Sequence, residues 1–187
     1  MKIQFLKMVS LLLLLWVAAA GCSRIQVSQD YDTKMHFPQL YAYAWKSAVK
    51  KNHADIRENN PLLHKRFHEN IDRVLMEKGY TRKNKPDFLV DYEYSIKTKI
   101  YSEPYTTGVG FGLGSHHRYS GFGISTAPQI RQYDVGILAI NVYDAASDMF
   151  LWRGMGSEEI SSHPTPQQTS EMVRRLVEAI LVQFPPQ

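Results

Sequence analysis

The sequence predicts an α+β fold, a two-layer sandwich in which an about five-stranded, mainly antiparallel sheet carries two helices on one face. Three observations predict it. From Phe88 to Ile100, apolar Phe88, Val90, Tyr92, Tyr94, Ile96 and Ile100 alternate with Asp91, Glu93, Ser95, Lys97 and Lys99, the pattern of a strand whose sheet is covered on one side. Two other segments carry apolar residues at helical spacing, each opened by a capping residue and a proline. The chain of 187 residues, 21% charged and 44% hydrophobic, has the size and balance of one ordinary domain rather than of a disordered or multi-span chain. A single cysteine excludes an internal disulfide framework and a cysteine-built zinc site.

The elements follow in order. Ile25 to Ser28 alternates and opens the domain as a short strand. Phe37 to Trp45 predicts a second, with Tyr41, Tyr43 and Trp45 on one face and Leu40, Ala42 and Ala44 on the other. Lys46 to Asn59 is polar and reads as a connection. Asn60 then caps a helix with Pro61 at its first position, Leu63, Phe67, Ile71, Val74 and Leu75 as its stripe, and Gly79 as its stop. After the Phe88 strand, Tyr133 to Tyr143 is apolar on both faces in its middle and is expected to be central. The turn-forming run Asp144 to Asp148 leads back along Phe150 to Ile160 as a hairpin. Thr165-Pro166-Gln167-Gln168 is a capping-box pattern, followed by the stripe Met172, Val173, Leu176, Val177, Ile180, Leu181 and Phe184, with Pro185-Pro186 ending the helix.

Residues 1–21 stand apart from the fold. Lys2 and Lys7 give a basic start, Met8 to Ala20 is almost wholly apolar, and small residues precede Cys22, which is a secretory signal pattern. The apolar stretch falls short of the ~20 residues a membrane-crossing helix needs. Ala19-Ala20-Gly21-Cys22 resembles the lipobox of bacterial lipoproteins, with Ala19 where Leu is most usual. That resemblance implies cleavage before Cys22, a diacylglycerol thioether on its sulfur and an acylated amino terminus. Two or three acyl chains hold a protein stably to a bilayer where one does not. In lipoproteins of two-membrane bacteria an Asp after the cysteine marks the inner membrane, so Ser23 implies the outer membrane and a periplasm-facing domain. Removing Lys2 and Lys7 leaves 20 basic against 18 acidic residues, close to balance, which gives no general electrostatic case for nucleic acid.

Across residues 22–187 a family resemblance runs through several phrases. Phe37 through Trp45, Leu75-Met76-Glu77-Lys78-Gly79-Tyr80, Pro86-Asp87-Phe88-Leu89-Val90, Gly136-Ile137-Leu138 through Asp144, Leu151-Trp152-Arg153-Gly154 and Phe184-Pro185-Pro186 lie in one order. In that order they resemble the bacterial envelope lipoprotein family catalogued as domain of unknown function 4136. The resemblance implies an α+β envelope lipoprotein and brings no catalytic activity with it.

Candidate sites are few. His64 and His68 have the spacing of zinc-binding helices, but Lys65 stands where H-E-x-x-H requires Glu, and boundary histidines are expected. Asp91 and Glu93 share a strand face, which fits either a paired-acid site or an exposed polar face. Arg153 points away from the face of Trp152 and is a candidate ligand contact. No Gly-x-Ser-x-Gly elbow, Gly-x-Gly-x-x-Gly or Gly-Lys-Ser/Thr pattern is present. Residues 102–131 form a glycine-rich segment too long for an ordinary connection, read either as a loop or as a hairpin arm. As an arm it carries apolar Val109, Phe111 and Leu113 with His116, His117 and Arg118 at its tip, and is the candidate partner-binding element, for another protein, a second copy or lipid. The sequence therefore predicts a lipid-anchored, non-enzymatic envelope protein that binds or scaffolds a partner or self-associates. It is expected to have no metal, no nucleic acid and no cofactor beyond the covalent lipid on Cys22. The alternatives are a small-ligand or metal-binding periplasmic lipoprotein, or a hydrolase.

Overall fold

In the computed structural model, which describes residues 25–33, 37, 39–47, 55–103, 108–109, 124–125 and 129–186, ten elements follow one another. They are β1 (Gln26–Tyr31), β2 (Ala42–Trp45), α1 (Pro61–Glu77), β3 (Thr81–Arg82), β4 (Phe88–Glu103), β5 (Gly108–Val109), β6 (Ile124–Ser125), β7 (Gln129–Asp144), β8 (Phe150–Ile160) and α2 (Pro166–Leu181). Six strands form one sheet in the order β1-β8-β7-β4-β2-β3. The first four pair antiparallel, and β2 runs parallel to both β4 and β3. The sheet is thus mixed and mostly antiparallel, with one strand more than the alternation predicted, the two-residue β3.

Both helices begin as their sequences dictate. The Asn60 side chain accepts a hydrogen bond from the Leu62 N–H at 3.0 Å, supplying a partner to an amide that no earlier helical carbonyl can reach. At α2 the Thr165 hydroxyl accepts from the Gln168 N–H at 3.2 Å and the Gln168 side chain accepts from the Thr165 N–H at 2.8 Å. Gly79 takes φ +92° just after α1, a conformation that costs glycine little.

The apolar stripes meet in one core against one face of the sheet. Leu63, Phe67, Ile71, Val74 and Leu75 of α1 and Val173, Leu176, Val177, Ile180 and Leu181 of α2 are buried there with Phe88, Val90, Leu138, Ile140, Val142 and Trp152. Tyr92, expected in the core, is half-buried because its hydroxyl reaches out to His64 at 2.8 Å. Close helix-to-sheet contact depends on β8. A methyl group at Gly154 would come within 2.6 Å of Ile180, and one at Gly156 within 2.9 Å of the same side chain. Phe184 is fully buried and packs on Trp152, Phe88, Tyr80 and Phe37, which fastens the end of the chain to the core. A register shift at Val142/Tyr143 lets Leu151 and Trp152 both be buried, although they are neighbours on one strand.

Strand ends decide where functional groups can lie. Gln26 of β1 pairs with Ser157, which pairs with Ile137, which pairs with Ser95. Beyond that row β8 stops at Ile160 opposite Asp134, while β4 and β7 remain paired out to Glu103 and Gln129. The last residues of β4 and the first of β7 therefore form a two-stranded ribbon projecting past the sheet. Further along, Gly108 pairs with Ser125 and Val109 with Ile124, so the described backbone within 102–131 pairs as a hairpin arm does, with its register moved by one residue relative to β4 and β7.

Candidate functional site

One row of the sheet's outer face, away from the helices, runs Asp30, Arg153, Asn141, Asp91 across β1, β8, β7 and β4. Alternation puts these four on that face because their neighbours Trp152, Ile140, Val142 and Val90 belong to the core. The Arg153 guanidinium donates to the Asn141 side-chain oxygen at 3.1 Å and lies 3.5 Å from the Glu93 carboxylate. Asn141 is fully buried, and its side-chain nitrogen has no hydrogen-bond partner among the described residues. A polar amide between Ile140 and Val142 in the central strand is the signal that could have marked this position.

The arrangement answers two expectations. Arg153 does point away from Trp152, but its charge is met by Glu93 and its fork by Asn141, so it presents a held, planar cation on a broad face. Glu93 meets Arg153 rather than forming an isolated acid pair with Asp91.

On the helix side, the starts of α1 and α2 and the edges of β4 and β8 enclose a cleft of about 430 Å³ that the sequence reading missed. Leu63, Tyr94, Ile96, Ile160 and Met172 give it apolar walls, with Arg57, Glu158 and Arg175 among its polar lining. Arg57 pairs with Asp55 at 2.7 Å and Asp134 at 2.6 Å, and Arg175 pairs with the buried Glu158 at 2.5 Å. Burial pushes the Tyr94 hydroxyl up to about 12. The cleft can enclose an apolar group, while its cations are occupied by carboxylates of the same chain. The two caps, Asn60 and Thr165, were legible; that antiparallel pairing brings them to one end of the sheet was not.

Elsewhere, His64 contacts the Tyr92 hydroxyl, and the His68 ring packs tilted on Trp45 at 3.9 Å between ring centres. Loss of water on that side lowers the His68 pKa. Among the described residues, no group of three His, Cys, Asp or Glu side chains is placed to hold a metal, and no helix is long and apolar enough to cross a membrane. Val109 lies on β5, where its backbone pairs with Ile124. Cys22, Phe111, Leu113, His116, His117 and Arg118 lie outside the described residues. Arg153 sits within the six-stranded sheet, and Val109 on β5, which among the described residues pairs with β6.

Two helices on one face of a mixed, mostly antiparallel sheet, with the other face carrying a polar row, define the protein's class as an α+β domain of two layers. The chain belongs to the family described as Domain of unknown function (DUF4136), whose model matches residues 27–186. Among solved structures it is similar to a PDZ domain protein from Parabacteroides distasonis ATCC 8503, with a TM-score of 0.55 and 17% identity. That match covers 88% of this chain and 37% of the other, so the chain spans little more than a third of that protein, and the likeness is one of fold. Two PelC dodecamer structures from Paraburkholderia phytofirmans match with TM-scores of 0.44 and 0.41 and identities of 11% and 12%, each over 84% of this chain and 95% of the other. No curated protein matches the sequence.

Proposed function

We propose that this is a lipid-anchored protein of the bacterial cell envelope that acts by binding a macromolecular partner and performs no catalysis itself. The observation that carries the partner-binding reading is the outer sheet face, where the half-buried Arg153, Glu93 and Asp91 form a polar surface over β8 and β4, held from beneath by the buried Asn141 of β7, with the helices packed on the other side. A surface of that breadth, with a guanidinium fixed in one plane, suits another protein's surface better than a small substrate. The anchor reading rests on the signal and Cys22, and a periplasm-facing place in the outer membrane on Ser23.

A photo-crosslinking residue in place of Met155, which is 40% exposed on β8 beside Arg153, tests the reading in intact envelopes. A discrete adduct is expected from that position, weakened by Arg153→Glu and absent when the crosslinker replaces Val182 on the helix layer. Equal adducts from both positions, or none from Met155, would overturn it. The cleft between the helix starts favours a second reading, an envelope protein that binds a small apolar ligand. A thermal shift with medium-chain fatty acids that disappears in Leu63→Trp would favour that reading instead.

A further inference from the structure

We infer that the β4/β7 ribbon is a second membrane-contacting element, laid against the lipid surface beside the Cys22 anchor. The inference rests on the anchor reading above. It starts from strand direction. Running from Tyr31 back to Gln26, β1 heads toward the same end of the sheet as β4 running from Ser95 to Glu103. The anchor and the ribbon therefore leave the domain at one end.

Lengths make the two compete for the same space. Only three residues separate Gln26 from Cys22, four backbone steps that reach at most ~14 Å when fully extended. From the same row of the sheet, the eight steps from Ser95 to Glu103 extend about 27 Å as strand. A lipid held at the bilayer surface by so short a tether leaves no room for the ribbon to stand clear of that surface. The domain has to tilt until the ribbon lies along the headgroups.

The ribbon's chemistry suits that place. Lys97, Lys99 and Tyr101 share its outer face with Tyr133 and Arg131, which pair with Lys99 and Tyr101. Lys97, Lys99 and Arg131 are exposed, and Tyr101 is 52% exposed. On the opposite face Ile100 is 67% exposed. Over Lys97 to Glu103 and Gln129 to Tyr133 the ribbon carries three basic residues, Lys97, Lys99 and Arg131, and one acidic residue, Glu103. Basic side chains attract anionic headgroups, and tyrosine favours the boundary between headgroup and acyl chain.

The test uses the mature acylated protein on vesicles of phosphatidylethanolamine and phosphatidylglycerol. Since Cys22 is the only cysteine and its sulfur is blocked by lipid, Tyr101→Cys supplies a single thiol for a spin label. Met149→Cys, in the β7–β8 turn at the opposite end of the sheet, is the control. On vesicles the label at position 101 is expected to lose collisions with a water-soluble nickel chelate and gain collisions with oxygen, while the label at 149 keeps its solution values. Lys97→Glu combined with Lys99→Glu should return the label at 101 toward solution values while the protein stays on the vesicles. Equal nickel access at 101 and 149 in acylated protein would overturn the ribbon's role alone. Shielding of 101 from both nickel and oxygen, with or without vesicles, would mean a protein contact and would overturn it too. A mature amino terminus whose mass shows no lipid on Cys22 would instead remove the anchor reading, and the proposal with it.

Discussion

The carboxylate of Asp87 accepts a hydrogen bond from the backbone N–H of Ala42 at 2.8 Å, fixing the start of β2 to the residue before β4. The same oxygen accepts from the Tyr41 N–H at 3.0 Å, and the Asp87 N–H donates back to the Ala42 carbonyl at 2.8 Å. A parallel pair of strands has no hairpin turn to set its register, and this carboxylate supplies a clamp in place of one. It also gives a physical reason for an aspartate between Pro86 and Phe88.

Those backbone donors hold the Asp87 pKa below the usual carboxylate range. A depressed carboxylate pKa contributes stability that is fully present above its unfolded value and is lost as pH falls through the lower folded value. For Asp87 that window lies below about pH 4. Asp87→Asn should lower the melting temperature at pH 7, and the gap from wild type should narrow as pH falls from 5 to 2. Thermal melts of both proteins across that range check this; a constant gap would show that the carboxylate's charge is not what β2 uses.

Core geometry predicts a graded series. Leu176→Ala should cost ~2–5 kcal/mol if its site cannot collapse. Val182→Ala, at a position 71% exposed just after α2, should stay within about 0.5 kcal/mol. Gly154→Val should destabilise by about 1–3 kcal/mol through overlap with Trp152 and Ile180. Urea unfolding of the three variants measures all of these.

Asp72 offers a spectroscopic check. One of its oxygens accepts from the Tyr43 hydroxyl at 2.7 Å and from the Trp45 indole N–H at 3.1 Å. Burial, then the bond to Asp72, pushes the Tyr43 hydroxyl pKa well up, which favours the protonated donor. Asp72→Ala should cost about 1–3 kcal/mol for each donor left without a partner. It should also shift Trp45 fluorescence, while Asp72→Asn, which keeps an acceptor, should recover most of both.

Elements governed by local chemistry were legible. Asn60-Pro61 and Thr165-Pro166 located both helix starts, alternation located β4, a run apolar on both faces located β7, and the turn after it located β8. Tertiary register was not legible. The strand predicted over Phe37 to Trp45 forms as β2 only from Ala42 to Trp45, β3 is too short to show periodicity, and the parallel pairing of β2 with β4 is clamped by Asp87, more than 40 residues from β2 in the chain. Gly154 and Gly156 carry no pattern until Ile180 is set above them. The same divide runs through the site. The face of Arg153 followed from its neighbour Trp152, but its partners Asn141 and Glu93 come from two other strands whose register only the folded sheet fixes.

The ribbon yields a prediction about folding. Pairing of β4 with β7 is continuous from Phe88–Asp144 to Glu103–Gln129, and the buried core lies on the Phe88 side of it. Replacing residues 104–128 with Asn-Gly joins two already paired ends by a turn whose twist matches theirs. The product should unfold cooperatively, with a midpoint close to that of the parent in chemical denaturation. A product that fails to fold would place part of the core's stability in the excised segment.

Beyond Val90, no described strand pairs with the outer edge of β4, and such an edge is a template on which other chains can stack. Here the buried Glu58 carboxylate accepts the Ile96 N–H at 2.6 Å, with exposed Lys97 and Lys99 directly after it. An incoming strand would have to expel a carboxylate from its amide and bring its own backbone past two ammonium groups. Resistance to fibril growth at high local concentration is thereby built into one side chain of a turn, and Glu58→Ala should shorten the lag before the protein aggregates.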